Sequence, residues 1–318
     1  MRRMQYPVLI ALLLLLTIWI GPALAEEAPR VHAIEGARIV LEPGREIERG
    51  TVVIREGLIE SVGERVDIPA DARIWDGEGL TVYPGLIEPY LRIGRLLGAK
   101  PVSGEWKGPP REPRLPGTAD GHPRVRPERG VVDELEFSGD WWGDLHELGF
   151  TSAYVLPDSG IFRGRGALLG LRSGRVSALR LPAAELQCLA YDVGLGSMGH
   201  PRSLMGVVAL MRQTLHDARW YAEATRIYEE HPVGLERPEL NRSLAVLGAH
   251  LEEGAGFLIE AADVLAVLRA GAFVREFELN GLLRGSGEEY KRVGDVAALG
   301  LPLVLPLAFP ERPELKYE

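Results

Sequence analysis

Short apolar runs separated by turn residues dominate the first third of the chain beyond residue 30. Each run is rich in β-branched side chains, and glycine, proline or acidic residues separate the runs, which is typical of a β-meander. Glu56-Gly57 stands between two such runs, so the pattern predicts a tight hairpin in which Gly57 adopts a positive φ. The predicted strands cover residues 37–41, 50–55, 58–62 and 72–75.

From Val131 onward the pattern changes to apolar strands that alternate with amphipathic helices. Regular β–α alternation predicts parallel strands with helices packed outside them. Ser203 is placed to cap the longest of these helices. The predicted strands cover residues 150–156, 167–171, 186–191, 256–261, 277–283 and 301–307, and the predicted helices cover 140–148, 203–229, 263–273 and 288–299.

Between these regions, residues 98–135 contain many prolines and few large apolar groups. Proline removes a backbone donor and fixes φ, which disfavours helices and central strands. We therefore interpret this stretch as a long surface insertion.

The first 25 residues have the features of a secretory signal peptide. Arg2 and Arg3 precede a nearly unbroken apolar run at Val8–Ile20, and a small-x-small motif ends at Ala25. An uncleaved membrane anchor is the alternative, but a spanning helix needs about 20 apolar residues. The expectation is therefore an exported protein, periplasmic or extracellular, that meets the membrane only through this segment.

Composition narrows the class of function. The chain has 318 residues, 46% of them hydrophobic, and a formal net charge of −9, which becomes more negative once Arg2 and Arg3 are removed. An acidic chain of this kind lacks the electrostatic footprint of a nucleic-acid-binding protein. Cys188 is the only cysteine, so an intrachain disulfide and a cysteine-based zinc site are both excluded.

The hairpins and turn glycines of residues 36–88, which end in Tyr83-Pro84-Gly85-Leu86-Ile87, resemble the N-terminal part of the metal-dependent amidohydrolases, especially the imidazolonepropionase-like branch. The resemblance implies an α/β fold with a small N-terminal β-sandwich-like unit at 26–85 and a TIM-like (β/α) barrel at 86–318. It also implies a hydrolase of C–N bonds other than peptide bonds, with zinc or another divalent metal as cofactor.

The resemblance places an Asp-x-His-x-His metal motif at the end of the strand that follows Pro84-Gly85, where this chain has Glu88, Tyr90 and Arg92. Arginine is permanently cationic and has no lone pair, and tyrosine is a poor ligand unless ionised. The family's later histidine positions fall on Glu260 and Asn280-Gly281. Glu88 and Glu260 are the substitute ligands that the sequence offers, so a metal is expected only if the protein is active, and catalysis is expected to be impaired.

Two further interpretations concern ligands and partners. Arg163 and Arg165 lie in a glycine-rich segment after a predicted strand, where they could hold an anionic small molecule, or the segment could be a solvated loop. Asn280 is a third candidate for ligand binding. Because the predicted strands are too few for a full barrel, a partner chain or a downstream segment could complete it. Two hypotheses remain open: a metal-dependent C–N hydrolase, or a non-catalytic exported barrel that binds a ligand or a partner.

Overall fold

The computed structural model describes residues 30–92, 94, 122–134, 142–172, 176–193 and 200–307. The predicted signal peptide and most of the predicted insertion at 98–135 lie outside these residues. The chain divides into two compact units, Met1–Pro84 and Gly85–Glu318.

The first unit contains one five-stranded sheet. Its strands are β1 Val31–Glu42, β2 Arg45–Arg55, β3 Leu58–Gly63, β4 Arg73–Asp76 and β5 Thr81–Val82. The strand order is β3-β2-β1-β4, with β5 also paired to β1. β1, β2 and β3 form an antiparallel meander, whereas β4 and β5 run parallel to β1. The described strands therefore form a single sheet, and the sandwich-like arrangement expected from the sequence is not confirmed.

The predicted hairpin at Glu56-Gly57 is present between β2 and β3. Glu56 has a φ of 51° and Gly57 a φ of 80°. Positive φ at both central residues is the signature of a type I′ turn, whose twist matches that of the flanking strands. The turn chemistry thus fixes the register of β2 against β3.

The second unit contains two sheets. The smaller one has the order β6-β7-β9 and the larger one β13-β12-β11-β10-β8. The strands are β6 Leu86–Arg92, β7 Phe150–Leu156, β8 Phe162–Arg165, β9 Ala167–Gly170, β10 Gln187–Ala190, β11 Gly256–Glu260, β12 Asn280–Arg284 and β13 Leu303–Val304. Neighbouring strands from β10 to β13 are parallel, as are β6 and β7, whereas β8 and β9 are antiparallel to their partners. Mixed α/β structure is confirmed, but the strands described here do not close into one barrel.

The second unit also contains helices, which pack on both of its sheets. They are α1 Val131–Glu134, α2 Gly143–Glu147, α3 Val176–Leu179, α4 Leu204–Glu230, α5 Arg242–Glu252, α6 Val264–Phe277 and α7 Val293–Ala297, with a 3₁₀ helix at Glu289–Arg292. Ser203, Asn241 and Asp263 cap α4, α5 and α6, because each side chain accepts a hydrogen bond from a backbone N–H in the first turn. Within the described segments, no helix is both long enough and apolar enough to span a membrane.

The largest apolar core lies between α4, α6 and the larger sheet. Val207, Met211 and Leu215 are fully buried on α4, at the helical spacing that keeps them on one face. They pack with buried side chains such as Ile259 of β11 and Leu283 of β12. This core holds β11 and β12 in place, and therefore also the polar residues at their ends.

Three of the differences between predicted and observed elements lie in the second unit. The helix predicted at 263–273 continues to Phe277, where Glu278 ends it in the left-handed conformation with φ 56°, so the next strand begins at Asn280 rather than at Phe277. The predicted strand at 301–307 is reduced to β13. The segment interpreted as a glycine-rich loop contains β8, which pairs with β10.

Candidate functional site

A polar cluster lies at the ends of strands in the second unit. Tyr90 and Arg92 come from β6, Glu260 is the last residue of β11, Arg284 is the last residue of β12, and Arg163 belongs to β8. Glu260 and Arg284 are direct partners in the β11–β12 register. The carboxyl ends of parallel strands meet at one edge of a sheet, where loops usually form the site in such folds. We call these five residues the Glu260 cluster.

Both carboxylate oxygens of Glu260 accept hydrogen bonds from side chains of the cluster. The Tyr90 hydroxyl and Nη1 of Arg163 donate to Oε2, the latter at 2.5 Å, and Nη2 of Arg92 donates to Oε1. Nε of Arg92 also donates to the Tyr90 hydroxyl oxygen at 3.4 Å. Glu260 is thus fixed by one phenol and two guanidinium groups.

Backbone carbonyls hold Arg163 and Arg284, and an aromatic ring also contacts Arg284. Nε of Arg163 donates to the Gly160 carbonyl at 3.3 Å, and only 7% of the Arg163 side chain is exposed. Gly160 has a φ of 113°, a conformation that favours glycine. Nη1 of Arg284 donates to the Gly285 carbonyl at 2.6 Å, and its guanidinium carbon lies 4.9 Å from the centre of the Tyr90 ring.

The protonation states follow from burial and charge. Burial alone would raise the pKa of Glu260, but Arg163, Arg92 and the Tyr90 hydrogen bond outweigh it and lower the pKa to about 2. Burial and the charge of Glu260 raise the pKa of Tyr90. At neutral pH Glu260 is therefore ionised, and Tyr90 is a neutral hydrogen-bond donor.

Asp158 follows β7 and lies close to the cluster. Burial raises the pKa of its carboxyl group, while a hydrogen bond from the Gly94 backbone and the charges of Arg92 and Arg163 act in the opposite direction. Glu88 lies on β6 beside Tyr90, and its Oε1 accepts a hydrogen bond from the Tyr90 backbone N–H at 3.0 Å. Two further acidic side chains thus border the cluster.

The side chains of the cluster do not suit a divalent metal. Metals such as zinc bind neutral imidazole, thiolate or carboxylate groups that have free lone pairs. Both Glu260 oxygens are already occupied by hydrogen-bond donors, and Arg92, Arg163 and Arg284 would repel a cation. Among the residues that the structure describes, no three His, Cys, Asp or Glu side chains group closely enough to hold a metal.

An apolar layer lies beneath the cluster. Leu258 and Leu282 stand two residues before Glu260 and Arg284, so they lie on the same faces of β11 and β12. Cys188 of β10 packs with Leu258, and burial raises the pKa of its thiol to about 12. Leu258 and Leu282 also line a cavity of about 210 Å³, together with Ile87, Pro89, Tyr154, Leu168, Leu186 and Val304.

The structure brings together four of the predicted site residues: Tyr90, Arg92, Glu260 and Arg163. Glu88 borders them. Arg165 points elsewhere, because its Nη1 binds Glu185 at 2.9 Å.

Asn280 is the first residue of β12, exposed at the opposite end from Glu260, and its side-chain amide donates to the Gly254 carbonyl at 3.4 Å. The assignment of Asn280 to the end of its strand was wrong, because α6 runs four residues further than predicted. The residue at that end is Arg284, which the sequence analysis missed together with Asp158. A strand of 5 residues that begins at Asn280 ends at Arg284, so an average strand length of about 5–6 residues could have indicated this residue.

Sequence comparisons give a match over a short segment of the chain. No family model matches the chain. A segment of 60 residues is 38% identical to dihydroorotase from Anaeromyxobacter dehalogenans and covers 19% of this chain and 14% of that protein. The match therefore spans about a seventh of the curated relative.

Solved structures extend the similarity to most of the chain. An amidohydrolase from Thermotoga maritima matches with a TM-score of 0.66 and 22% identity over 89% of this chain and 72% of that one. A putative prolidase from Bifidobacterium longum matches with a TM-score of 0.35 and 14% identity, over 86% and 53% of the two chains, which is too low to support an argument. The resemblance to amidohydrolases predicted from the sequence is confirmed at the level of fold.

Proposed function

We propose that this chain is a metal-independent relative of the amidohydrolases that binds a ligand and has lost the hydrolysis of C–N bonds. One observation carries the proposal: the Glu260 carboxylate is bonded to Tyr90, Arg92 and Arg163. Tyr90 and Arg92 stand where the resemblance requires metal-binding histidines. The amidohydrolase fold persists, but a fold alone does not determine a reaction.

The chemistry of the cluster supports this proposal. Metal-dependent hydrolysis requires a Lewis acid that lowers the pKa of a bound water. Arginine cannot coordinate water, and a tyrosine with a raised pKa stays protonated. Glu260, with a pKa of about 2, is a weak general base, because an efficient base has a pKa near the working pH.

The second candidate function is a metal-dependent C–N hydrolase. The identity with a dihydroorotase segment and the overall fold favour it. In that case Glu88 and Glu260 would have to serve as ligands, which requires Arg92 and Arg163 to release Glu260.

Metal analysis of the purified chain tests the proposal. After incubation with zinc and removal of free metal, we expect far less than one metal per chain by mass spectrometry. We also expect no turnover of dihydroorotate or simple cyclic imides. Stoichiometric metal that disappears in Glu260→Ala and stays in the matched surface variant Glu276→Ala would contradict the proposal and favour the hydrolase.

We further propose that the mature protein is exported and begins at Glu26. The basic start, the apolar run at Val8–Ile20 and the small residues that end at Ala25 support this proposal. N-terminal sequencing of protein from the periplasm or medium should begin at Glu26. A chain retained in the membrane with Met1 intact would favour an anchor instead.

A further inference from the structure

The Glu260 cluster contains three arginines but only one carboxylate that forms ion pairs with them. Arg92, Arg163 and Arg284 converge on one edge of the sheets, but only Arg92 and Arg163 form ion pairs, and both share Glu260. Within the described ranges, no carboxylate lies within 4.0 Å of the Arg284 guanidinium nitrogens. Arg284 instead stacks on Tyr90 and donates to a backbone carbonyl.

Donor groups remain available for a ligand. Nη2 and Nε of Arg284 and Nη1 of Arg92 donate to none of the residues that the structure describes. The Arg92 side chain is 37% exposed, so solvent reaches it. Guanidinium groups fixed by packing and by a counter-ion offer planar, preorganised N–H donors that match an oxyanion.

From this geometry we infer that the Glu260 cluster binds a small organic carboxylate with an apolar body. The inference rests on the proposed function, because a metal at Glu260 would occupy the same place. The carboxylate of the ligand accepts hydrogen bonds from Arg284 and Arg92, while Glu260 stays in place and orients Arg92 and Arg163.

The neighbouring charges favour a monoanion over a phosphate. Glu260 is ionised, and Glu88 and Asp158 border the cluster. Counted with the carboxyl groups of Glu88 and Asp158, the three arginines face three acidic groups, so a dianion adds two negative charges beyond balance and a monoanion adds only one. A single carboxylate therefore fits the charge of the cluster better.

The layer beneath the cluster favours an apolar body. Leu258 and Leu282 stand one layer below Glu260 and Arg284, and both line the cavity of about 210 Å³, whose lining is apolar. A chain or ring of several carbons placed there would gain about 0.8 kcal/mol for each buried methylene. Hexanoate should therefore bind more tightly than acetate.

Calorimetric titration of the full chain in the presence of a chelator tests the inference. We expect saturable binding of hexanoate, weaker binding of acetate, and little binding of hexanol or inorganic phosphate. Arg284→Gln should weaken hexanoate at least tenfold, because a hydrogen bond to a charged group is lost. Arg165→Gln, an arginine paired with Glu185 outside the cluster, should change affinity less than twofold.

Arg92→Gln serves as the second variant if Arg284→Gln does not fold, as judged by circular dichroism. The absence of saturable hexanoate binding to the folded wild type would overturn the inference. Wild-type affinity for hexanoate in both Arg284→Gln and Arg92→Gln would overturn it as well. Tighter binding of phosphate than of hexanoate would also overturn it. The chelator keeps this outcome separate from the proposed function, which fails only through metal uptake or turnover.

Discussion

Two contacts between arginine and glutamate in the second unit use the same chemistry in different surroundings. On the surface, Arg212 of α4 holds Glu276 of α6 with three hydrogen bonds of 2.7 to 3.0 Å. In the Glu260 cluster, the Glu260 side chain is 19% exposed and Arg163 is 7% exposed. The surface pair has the more regular bidentate geometry, yet the buried contact should matter more, because a charge left unpaired there cannot turn to water.

Glu260→Gln should cause the largest loss in stability and so separate the two contacts most clearly. The substitution leaves the buried Arg163 without its counter-ion, and removing one partner of a buried pair costs about 3–5 kcal/mol. We expect a loss of that order in the free energy of unfolding, measured with urea and circular dichroism. Glu276→Gln is the matched control and should cause only a small change. Equal losses in the two variants would mean that burial does not separate the two contacts.

Acid should weaken the buried contact through the same carboxylate. The pKa of Glu260 falls from 4.5 to about 2 on folding. A lowered pKa means that the native state binds the proton more weakly, so its stabilisation is present above about pH 4.5 and lost as the pH falls toward 2. The wild type should lose on the order of 3 kcal/mol more than Glu260→Gln between pH 6 and pH 2.

Asp158 acts in the opposite direction, because burial raises its pKa. It is present in both proteins, so the effect of its burial cancels in the difference between their urea-unfolding curves, and only the smaller effect of the Glu260 charge on Asp158 remains. Parallel pH profiles would contradict the assigned pKa.

A double-mutant cycle should sharpen the comparison further. Arg163→Met leaves Glu260 with only Arg92 and Tyr90, and Glu260→Met leaves the buried Arg163 without a counter-ion, whereas the double variant removes both of these charges. We expect the double variant to be less destabilised than the sum of the single variants, by about 0.5–3 kcal/mol. Additive losses in urea unfolding would show that Arg163 and Glu260 do not depend on each other.

The smallest effect should come from the surface pair. Arg212→Gln should leave the thermal midpoint almost unchanged, and high salt should remove whatever difference exists, because exposed charges are screened. Scanning calorimetry at low and high salt measures both. A large, salt-independent loss would place this pair in the same class as the Glu260 cluster.

Local signals made much of the fold predictable. Ser203 and the apolar spacing along α4 placed that helix within one residue of its observed start, and Glu56-Gly57 placed the hairpin. These features depend on residues that are neighbours in sequence, where capping and turn rules apply directly.

The site was only partly predictable, because its contacts are not local. Arg163 and Glu260 are 97 residues apart in sequence, and no pattern around either residue indicates that the two side chains are in contact. The charges and glycines of β8 are typical of a loop. Arg163 is tolerated in a buried strand because it forms an ion pair with Glu260, which is distant in sequence. The end of α6 was missed because Glu278, rather than glycine, adopts the left-handed conformation there.

The position of Cys188 has a practical consequence. This residue is the only cysteine of the chain, it is buried in the layer under the cluster, and its thiol stays protonated with a pKa of about 12. Maleimides and iodoacetamides react with accessible thiolates, so the folded protein offers them no background target. A cysteine introduced at the exposed Met205 could therefore carry a fluorophore on its own, without mutation of the native sulfur.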